Sequence, residues 1–506
     1  MALDPAVEIE RKFDVENDTP LPSLMDLPGV GSVDQPAEHH LEAEYYDTED
    51  LRLASHRITL RRRTGGEDAG WHLKLPAGPE ERHEYRKPVR GSSKGVPKAL
   101  LGLVRVHIRG AALVPVARLS TRRIVHRLRG TGGEVLADLM DDHVQAEALH
   151  PASSGRQWRE WELELVDGSR DLLDAGESVI AAAGGTPAAH GSKLARALGG
   201  AVPAAVDGVA AVTPGGTAGA VLLAYLDEQV RALKQQDPQV RLDAQDAIHR
   251  MRVALRRTRS VLATYRSLLD DADAVRLLRG ELKWLAGVLG TARDAQVMHA
   301  RLREMLAGEP ADLLLGPVER TVEVELGGGY RKAHAKVLRA LDGQRYFRLL
   351  DALDSLLAAP ALAPRAAGPA DRVLPALINR DLKRLWAVVH EARNHPAGLG
   401  DHPALHEARK VAKRVRYAAE AATPIGRKKV VRIAEAAQGL QKILGEHQDS
   451  VVTRDLLRRL GASATQQGGN GFSYGRLHAL EQVAALDAEA RFRAEWEYFP
   501  TPLKKK

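Results

Sequence analysis

One helical segment carrying a line of basic residues occurs twice in the C-terminal half of this chain, and that repetition restricts the fold more than any other feature. His249, Arg252, Arg256 and Arg259 match His406, Arg409, Lys413 and Arg416, each pair 157 positions apart, and Arg257 and Arg414 keep the same offset. Further on, Leu289-Gly290-x-x-Arg293-Asp294 matches Leu444-Gly445-x-x-Gln448-Asp449 at an offset of 155. Two related offsets in the same order imply an internal duplication. From Thr217 to about Trp496 apolar residues recur three and four apart, which makes both copies helical. The expected product is an all-α, internally duplicated bundle over residues 217–499, with repeats at about 217–360 and 371–499. Breaks are expected at Gly308–Pro310, Gly327–Gly329, Pro360–Pro369 and Gly468–Gly471.

An α-helix turns about 100° per residue, so Arg252, Arg256 and Arg259 fall at roughly −60°, −20° and −80° from His249, on one stripe. Ile248, Met251, Leu255 and Leu262 collect beside it and can enter a core. The second copy sets Ala408, Ala412, Val415 and Ala419 on its apolar side. Stacked like charges cost a few tenths of a kcal/mol (~0.2–0.5) per pair. No acid on either stripe relieves them, whereas a multivalent anion would. A single such helix is most often a solvated basic face. The second copy, which keeps the His and the charge spacing while changing the apolar residues, favours anion binding. His adds a donor that can become cationic. Nucleic acid would bring stacking aromatics and base-reading amides. Tyr417 is the one aromatic near the stripes, and no Asn or Gln lies among the contact positions.

The first 200 residues follow a different period. Val7–Phe13, Arg57–Arg63, Gly70–Leu75, Glu84–Val89, Arg122–Leu128 and Trp158–Val166 alternate with a period of two and are bounded by turn residues, so they are predicted strands. A helix is predicted near Asp171–Gly184, and the Pro-, Gly- and Ala-rich stretch Ala201–Gly216 reads as a linker between residues 1–200 and the helical half. Glu8, Glu10 and Lys12 share a strand face opposite Val7, Ile9 and Phe13. Arg61 and Arg63 point together, Lys74 lies opposite Trp71, Leu73 and Leu75, and Glu162 and Glu164 lie opposite Trp161, Leu163 and Leu165. For one such strand, a sheet with its charged side in water is the common outcome. Four strands that pair apolar faces with both acids and bases suit a barrel with a charged lumen under outer helices.

Such a lumen has a chemical logic. A triphosphate is too anionic to approach a carboxylate unaided. Mg²⁺ or Mn²⁺ held by Glu8, Glu10, Glu162 and Glu164 would bridge carboxylates and phosphate oxygens. Lys12, Arg61, Arg63 and Lys74 would hold the other oxygens and stabilise the leaving phosphate, while water attacks a terminal phosphorus.

These residues reach two known families. The C-terminal half resembles the conserved-histidine α-helical (CHAD) domain, through His249-x-x-Arg252-x-x-x-Arg256-Arg257-x-Arg259, its second copy, Tyr417 and the Leu-Gly-x-x-x-Asp segments. The resemblance implies binding of inorganic polyphosphate through His249, Arg252, Arg256, Arg257, Arg259, His406, Arg409, Lys410, Lys413, Arg414 and Arg416. The N-terminal 200 residues resemble the CYTH, or triphosphate tunnel, family, with Glu8-x-Glu10-x-Lys12 as the signature. Tyr45-Tyr46-Asp47-Thr48, Leu60-Arg61-Arg62-Arg63, Leu73-Lys74, Glu162-Leu163-Glu164 and Ser192-Lys193 follow in the family's order. This resemblance implies an antiparallel eight-stranded tunnel with flanking helices, so the whole chain is expected to be α+β and multidomain. Members include inorganic triphosphatases, thiamine triphosphatases and adenylyl cyclases. It further implies Lys12, Lys74 and Tyr46 in catalysis and Arg122 among the substrate-binding cations. Asp138 is the matching acidic position beside the metal, and Lys193 would close over the phosphates. Two positions depart from the family pattern: Arg86 stands where a second acid often follows Glu84, and Ser120 where a second base often precedes Arg122.

Two functions follow as expectations. One is a metal-dependent triphosphatase that hydrolyses tripolyphosphate or related triphosphates, its polymer anchored by the helical half. The other is a non-catalytic polyphosphate-binding or targeting protein with a degenerate tunnel. Nucleic-acid binding, the default for a basic chain of pI near 9.4 and net charge +7, is not expected as a specific interaction, and nothing specifies an adenine pocket. The absence of Cys excludes disulfides and thiolate metal sites. Met1–Glu10 lacks the order of a signal peptide and no window approaches ~18 apolar residues. A cytoplasmic location is therefore expected, with polyphosphate granules as a point of association, no membrane contact, and a disordered basic tail at 500–506.

Overall fold

The computed structural model describes residues 6–78, 80–89, 95–149, 154–204, 215–394 and 403–502. Most of the expected linker (205–214) and of the expected tail (503–506) lies outside the described residues. The chain divides into two compact units, Met1–Asp207 and Gly208–Lys506.

The first unit is a closed antiparallel barrel, as the resemblance implied. Its strands are β1 (Ala6–Val15), β2 (Val30–Val33), β3 (Ala37–Asp47), β4 (Thr59–Thr64), β5 (Gly70–Pro76), β6 (Glu81–Lys87), β7 (Val114–Gly130), β8 (Val135–Ala148), β9 (Ser154–Leu165) and β10 (Thr186–Pro187). Eight of them close in the order β1-β6-β5-β4-β3-β7-β8-β9, with β9 pairing back onto β1, while β2 extends β7 and β10 extends β1. Strand alternation sends the two side-chain sets of each strand to opposite faces. Phe13, Leu128, Leu139, Trp161 and Leu163 face outward and pack with Leu172, Leu173 and Ile180 of a flanking helix (Arg170–Ala182). That leaves Glu8, Glu10, Lys12, Glu162 and Glu164 facing inward. On the lumen side, two residues from Asp142 of β8 and Glu160 of β9, Val144 and Trp158 join Tyr45, Leu119 and Ala146 in an apolar cluster. The short helix Lys193–Leu198 seats Leu194, Ala197 and Leu198 on that cluster.

β3 and β8 are absent from the strands the periodicity predicts. β8 reads VLADLMDDHVQAEA, rich in Asp and Ala that disfavour strands. It forms because β7 and β9 pair with it along nearly its whole length, on both edges.

In the second unit the helices, numbered from the first of this unit, are α1 (Ala218–Arg241), α2 (Ala247–Thr264), α3 (Ala272–Ala307), α4 (Val318–Val322), α5 (Gly328–Leu341), α6 (Gln344–Ala358), α7 (Ala370–Asn394), α8 (Pro403–Ala421), α9 (Lys428–Gln466) and α10 (Phe472–Glu497). The duplication is visible in the packing: α2 lies between α1 and α3, α8 lies between α7 and α9, and the two basic helices α2 and α8 pack on each other. Met298 of α3 and Thr453 of α9, which are repeat equivalents, touch at 3.6 Å. The expected break at Gly327–Gly329 does not occur. A π-helical turn (Glu323–Gly327) carries α4 directly into α5. Each helical Gly costs about 1 kcal/mol, and the burial of Val318, Val322, Ala333, Val337 and Leu341 along this helix offsets it.

Candidate functional site

Charge lines the barrel lumen almost completely. Among the residues around it are eight cations (Lys12, Arg61, Arg63, Lys74, Arg82, Arg86, Arg123 and Lys193) and six carboxylates (Glu8, Glu10, Asp68, Glu84, Glu162 and Glu164). β1 and β9 pair so that Glu10 stands opposite Glu164 and Lys12 opposite Glu162. Lys12 Nζ bonds Glu10 Oε2 at 2.9 Å and also contacts Glu162. Burial opposes the Lys12 charge, but Glu10 and Glu162 outweigh it and raise the ammonium above its ordinary range. Burial likewise opposes the Glu10 charge, yet Lys12 with Lys74 and Arg82 brings its carboxyl down to about 2. On the facing wall Lys74 Nζ bonds Glu8 Oε2 at 2.5 Å. Arg61 donates to the Tyr45 hydroxyl at 3.2 Å. Arg63, which pairs with Asp68, is pushed down to about 9 by burial, Arg61 and Arg123.

Two carboxylate groups behave differently. Asp142, Glu160 and Glu162 bring their oxygens within 4.8 Å of one another, a spacing that suits a metal ion. Lys193 fills that position: its Nζ lies 2.7 Å from each of Asp142, Glu160 and Glu162. Arg123 closes the same group, at 2.6 Å from Asp142 and 2.7 Å from Glu162. By contrast, Glu164 makes no ion pair among the described residues. Burial and the nearby Glu8 and Glu10 raise it to about 7, against the opposing pull of Lys74. Glu164 is therefore an acid without a cation of its own beside Glu8 and Glu10, although these three do not share the close oxygen spacing of Asp142, Glu160 and Glu162.

The structure therefore brings together Glu8, Glu10, Lys12, Arg61, Arg63, Lys74, Glu162, Glu164 and Lys193. Three other expected residues lie elsewhere. Arg122 faces outward and pairs with Glu38 at 3.1 Å, and its neighbour Arg123 enters the lumen instead. Tyr46 also faces outward, its ring 5.1 Å from Trp71 and its hydroxyl on Glu44, whereas Tyr45 faces the lumen. Asp138 pairs with Arg127 at 2.9 and 3.0 Å and does not line the cavity. Of the two buried acids of β8, Asp141 pairs with Arg159 and Asp142 is the one that meets Arg123 and Lys193. Ser120 is outward too, donating to Glu42 at 2.6 Å, so the missing second base there does not alter the lumen. Arg86 does alter it, bonding Glu84 and reaching Glu8 at 3.7 Å.

In the helical unit the two basic stripes face each other. Arg252 bonds Asp294 at 2.8 Å and its guanidinium lies over Gly290; Arg409 lies over Gly445 in the same way. The duplicated Leu-Gly segments thus give each Arg a flat bed, with Asp294 and Asp449 supplied from α3 and α9. His406 Nδ1 lies 2.5 Å from Gln448 Oε1. Arg256 and Arg409 keep buried Nε atoms with no hydrogen-bond partner among the described residues. Burial first, then neighbouring cations, lowers Arg256 and Arg409 from the ordinary range and pushes Lys413 down to about 6. His249 is lowered by burial, Arg293 and Arg256, and Arg259 by burial, Arg279 and Arg414. Other expected contacts are engaged internally. Arg257 and Arg416 flank the Tyr417 ring and share Glu420, at 3.4 and 2.5 Å. Arg414 lies 3.9 Å from Asp381, and Lys410 sits in solvent beside Glu407.

Comparison with known proteins gives four findings. A family model described as the CYTH domain matches residues 6–198. One described as the CHAD domain matches residues 224–458. A protein of Mycobacterium tuberculosis, called an uncharacterized protein in each of two strains, is 41% identical over 505 residues, covering 97% of this chain and 95% of its own length. The crystal structure of the CHAD domain from the plant Ricinus communis is 24% identical, covering 59% of this chain and 97% of that one, with a TM-score of 0.47.

Proposed function

The chain belongs to the family of proteins in which a CYTH domain precedes a CHAD domain, and from that premise we propose that it binds inorganic polyphosphate and hydrolyses triphosphates with the help of a divalent cation. The observation that carries the reading is the lumen itself, a closed barrel in which eight cations meet six carboxylates and one carboxylate, Glu164, has no ion pair among the described residues. Glu8, Glu10 and Glu164 are the residues that would hold Mg²⁺ or Mn²⁺, because oxygen-only donors suit hard cations. When bound there, the ion supplies charge neutralisation and polarisation of a phosphoryl oxygen.

The chain's own residues account for the rest. Lys12, Lys74, Arg61, Arg63 and Arg123 surround the space with donors fixed by the barrel, so they stabilise charge on the transferred and leaving phosphates with little reorganisation. Water adds to the terminal phosphorus as its bond to the bridging oxygen breaks, and the departing oxygen leaves toward these cations. Lys193, held by three carboxylates, serves this scheme by fixing Glu162 and Asp142 rather than by reaching over substrate. Among the described residues that line the lumen no aromatic face is open to a base, since the Tyr45 ring is buried beneath Arg61. That favours inorganic triphosphates over nucleotides. In the helical unit, Arg252, Arg256, Arg409 and Lys413 gather without enough acid to balance them, which supports a long polyanion laid between α2 and α8.

The test is phosphate release from tripolyphosphate by the purified chain with Mg²⁺ or Mn²⁺, abolished by chelation. No release with either ion rejects the hydrolase reading. It would leave a binding protein with a degenerate tunnel, a reading that Arg86 favours because its guanidinium competes with any cation for Glu8 and Glu84.

Lys413 gives a pH prediction. In the free protein it carries charge only below about 6, and a phosphate chain between the stripes restores that charge at higher pH. Binding therefore takes up a proton. Polyphosphate affinity should rise as pH falls from 8 to 6, by no more than about tenfold per pH unit from this group, and level off below 6. Calorimetry in buffers of different ionisation enthalpy should find uptake approaching one proton near pH 7.5. Lys413→Arg should remove most of that uptake; an unchanged value would exclude Lys413 as its source.

A further inference from the structure

The last helix, α10, has two apolar faces. One carries Tyr474 and Leu477 into a core with Leu302 and Leu457. The other is uncovered: Phe472, Leu480, Val483 and Leu486 are exposed, Val483 to 65%. Along this second face Phe472, Arg476, Ala479, Val483, Leu486 and Ala490 follow one another at alternating steps of four and three, the spacing of helices that pair. The helix that packs on α3 in the first repeat, α5, presents Arg331, Lys332, Lys336 and Arg339 to solvent instead. The apolar seam is therefore particular to α10 and not a feature of the repeat.

We propose that α10 is the contact through which two copies of this chain associate, antiparallel about a two-fold axis near residues 481–482. That axis sets Leu480 against Val483 of the partner subunit and Ala479 against Ala484 of the partner subunit. The small residues let the helices approach closely. It also sets Arg476 against Asp487 of the partner subunit, twice by symmetry. Within one copy Arg476 bonds Glu309 at 2.6 Å and Asp487 bonds Arg491 at 2.8 Å, yet both side chains stay partly exposed and can take a second partner. Parallel pairing would bring Asp487 against its own copy, so charge selects the antiparallel arrangement. The seam from Phe472 to Ala490 is about 27 Å long. One helix pair of that length falls at the small end of specific interfaces, which makes a reversible dimer with Kd on the order of 10 μM.

Sedimentation velocity on the full chain from 1 to 200 μM should show a monomer–dimer equilibrium. Val483→Glu, at a position already open to water, should weaken it at least about tenfold, because a charge would be buried on pairing. Circular dichroism should show the fold intact. Geometry gives a second readout, since the chain has no native Cys. Val483→Cys, close to the axis, should cross-link through a short bismaleimide. Tyr498→Cys should not, because antiparallel pairing puts the two copies of that residue about 50 Å apart. A chain that stays monomeric at 200 μM, a dimer indifferent to Val483→Glu, or equal cross-linking at both positions would overturn the proposal.

Discussion

Replacing Glu8 and Glu10 together with Ala is expected to lower kcat/KM for metal-dependent tripolyphosphate hydrolysis by at least about 10³-fold. Both carboxylates face the lumen, each held by a lysine: Glu8 by Lys74 at 2.5 Å and Glu10 by Lys12 at 2.9 Å. Their loss removes two of the three acids assigned to the cation and takes one carboxylate partner from each ammonium group, leaving Lys12 with Glu162 and Lys74 4.0 Å from Glu84. Binding and turnover should therefore part company. Without metal, tripolyphosphate should bind the variant at least as tightly as it binds the wild type, because two acids that repel phosphate are gone and each lysine has one carboxylate partner fewer, while phosphate release disappears. The corresponding pair of Gln substitutions, which keep the shape but not the charge, should behave alike and guard against a folding artefact. Phosphate release that survives either pair would show that the cation is held elsewhere, and the Asp142, Glu160 and Glu162 cage could serve only after Lys193 had left it.

Reversing Arg252 and Arg409 to Glu should have the second largest effect, on polymer binding alone. Charge-assisted contacts contribute about 1.5–3 kcal/mol each, and reversal adds repulsion from acids already present, Asp294 beside Arg252 and Asp449 beside Arg409. A loss of at least about 10³-fold in affinity for long-chain polyphosphate follows, measured by calorimetry at fixed salt. The salt dependence of binding should become shallower, since fewer counterions are released. Tripolyphosphate hydrolysis should be unchanged. If both activities fell together, the lumen and the basic helices would be one functional unit. If excess DNA displaced the polymer from the wild-type chain as readily as polyphosphate itself, the stripes would be a general electrostatic surface and the proposed selectivity would fail.

The two units handle their charges in opposite ways. In the lumen six of the eight cations have an acid within hydrogen-bond reach, so much of the site is ordered before substrate arrives, and among the described residues Glu164 is the lining carboxylate left without an ion pair. Between α2 and α8 the cations outnumber the acids that reach them. Lys413 at about 6 is the clearest sign, since its charge is suppressed until an anion enters. Pre-paired charge suits a site that must place a reacting phosphorus. Unbalanced charge suits one that grips a polymer without choosing among its units.

Period and repetition in the sequence determined a good deal. A two-residue alternation places Glu8, Glu10 and Lys12 on one face whatever strand lies beside them, and the same holds for Arg61 with Arg63 and Glu162 with Glu164. The offset repeat made the second half a duplicated helical body, and its Leu-Gly segments proved to be the beds on which Arg252 and Arg409 lie. What sequence could not decide was the choice between neighbours. Arg122 and Arg123, or Tyr45 and Tyr46, differ by one step, and one step exchanges lumen for exterior. The pairing of β3 with β7 shifts register between Tyr45 and Tyr46, so no count along the strand carries through that point. Asp142 rather than Asp138 was likewise selected by its pairing opposite Arg123 and Glu160 on neighbouring strands. Only the tertiary structure could show Lys193 filling the carboxylate cage that, among the described residues, has metal spacing. Three separate segments, β8, β9 and the helix that begins at Lys193, build that arrangement, and its energy comes from charges brought together through space.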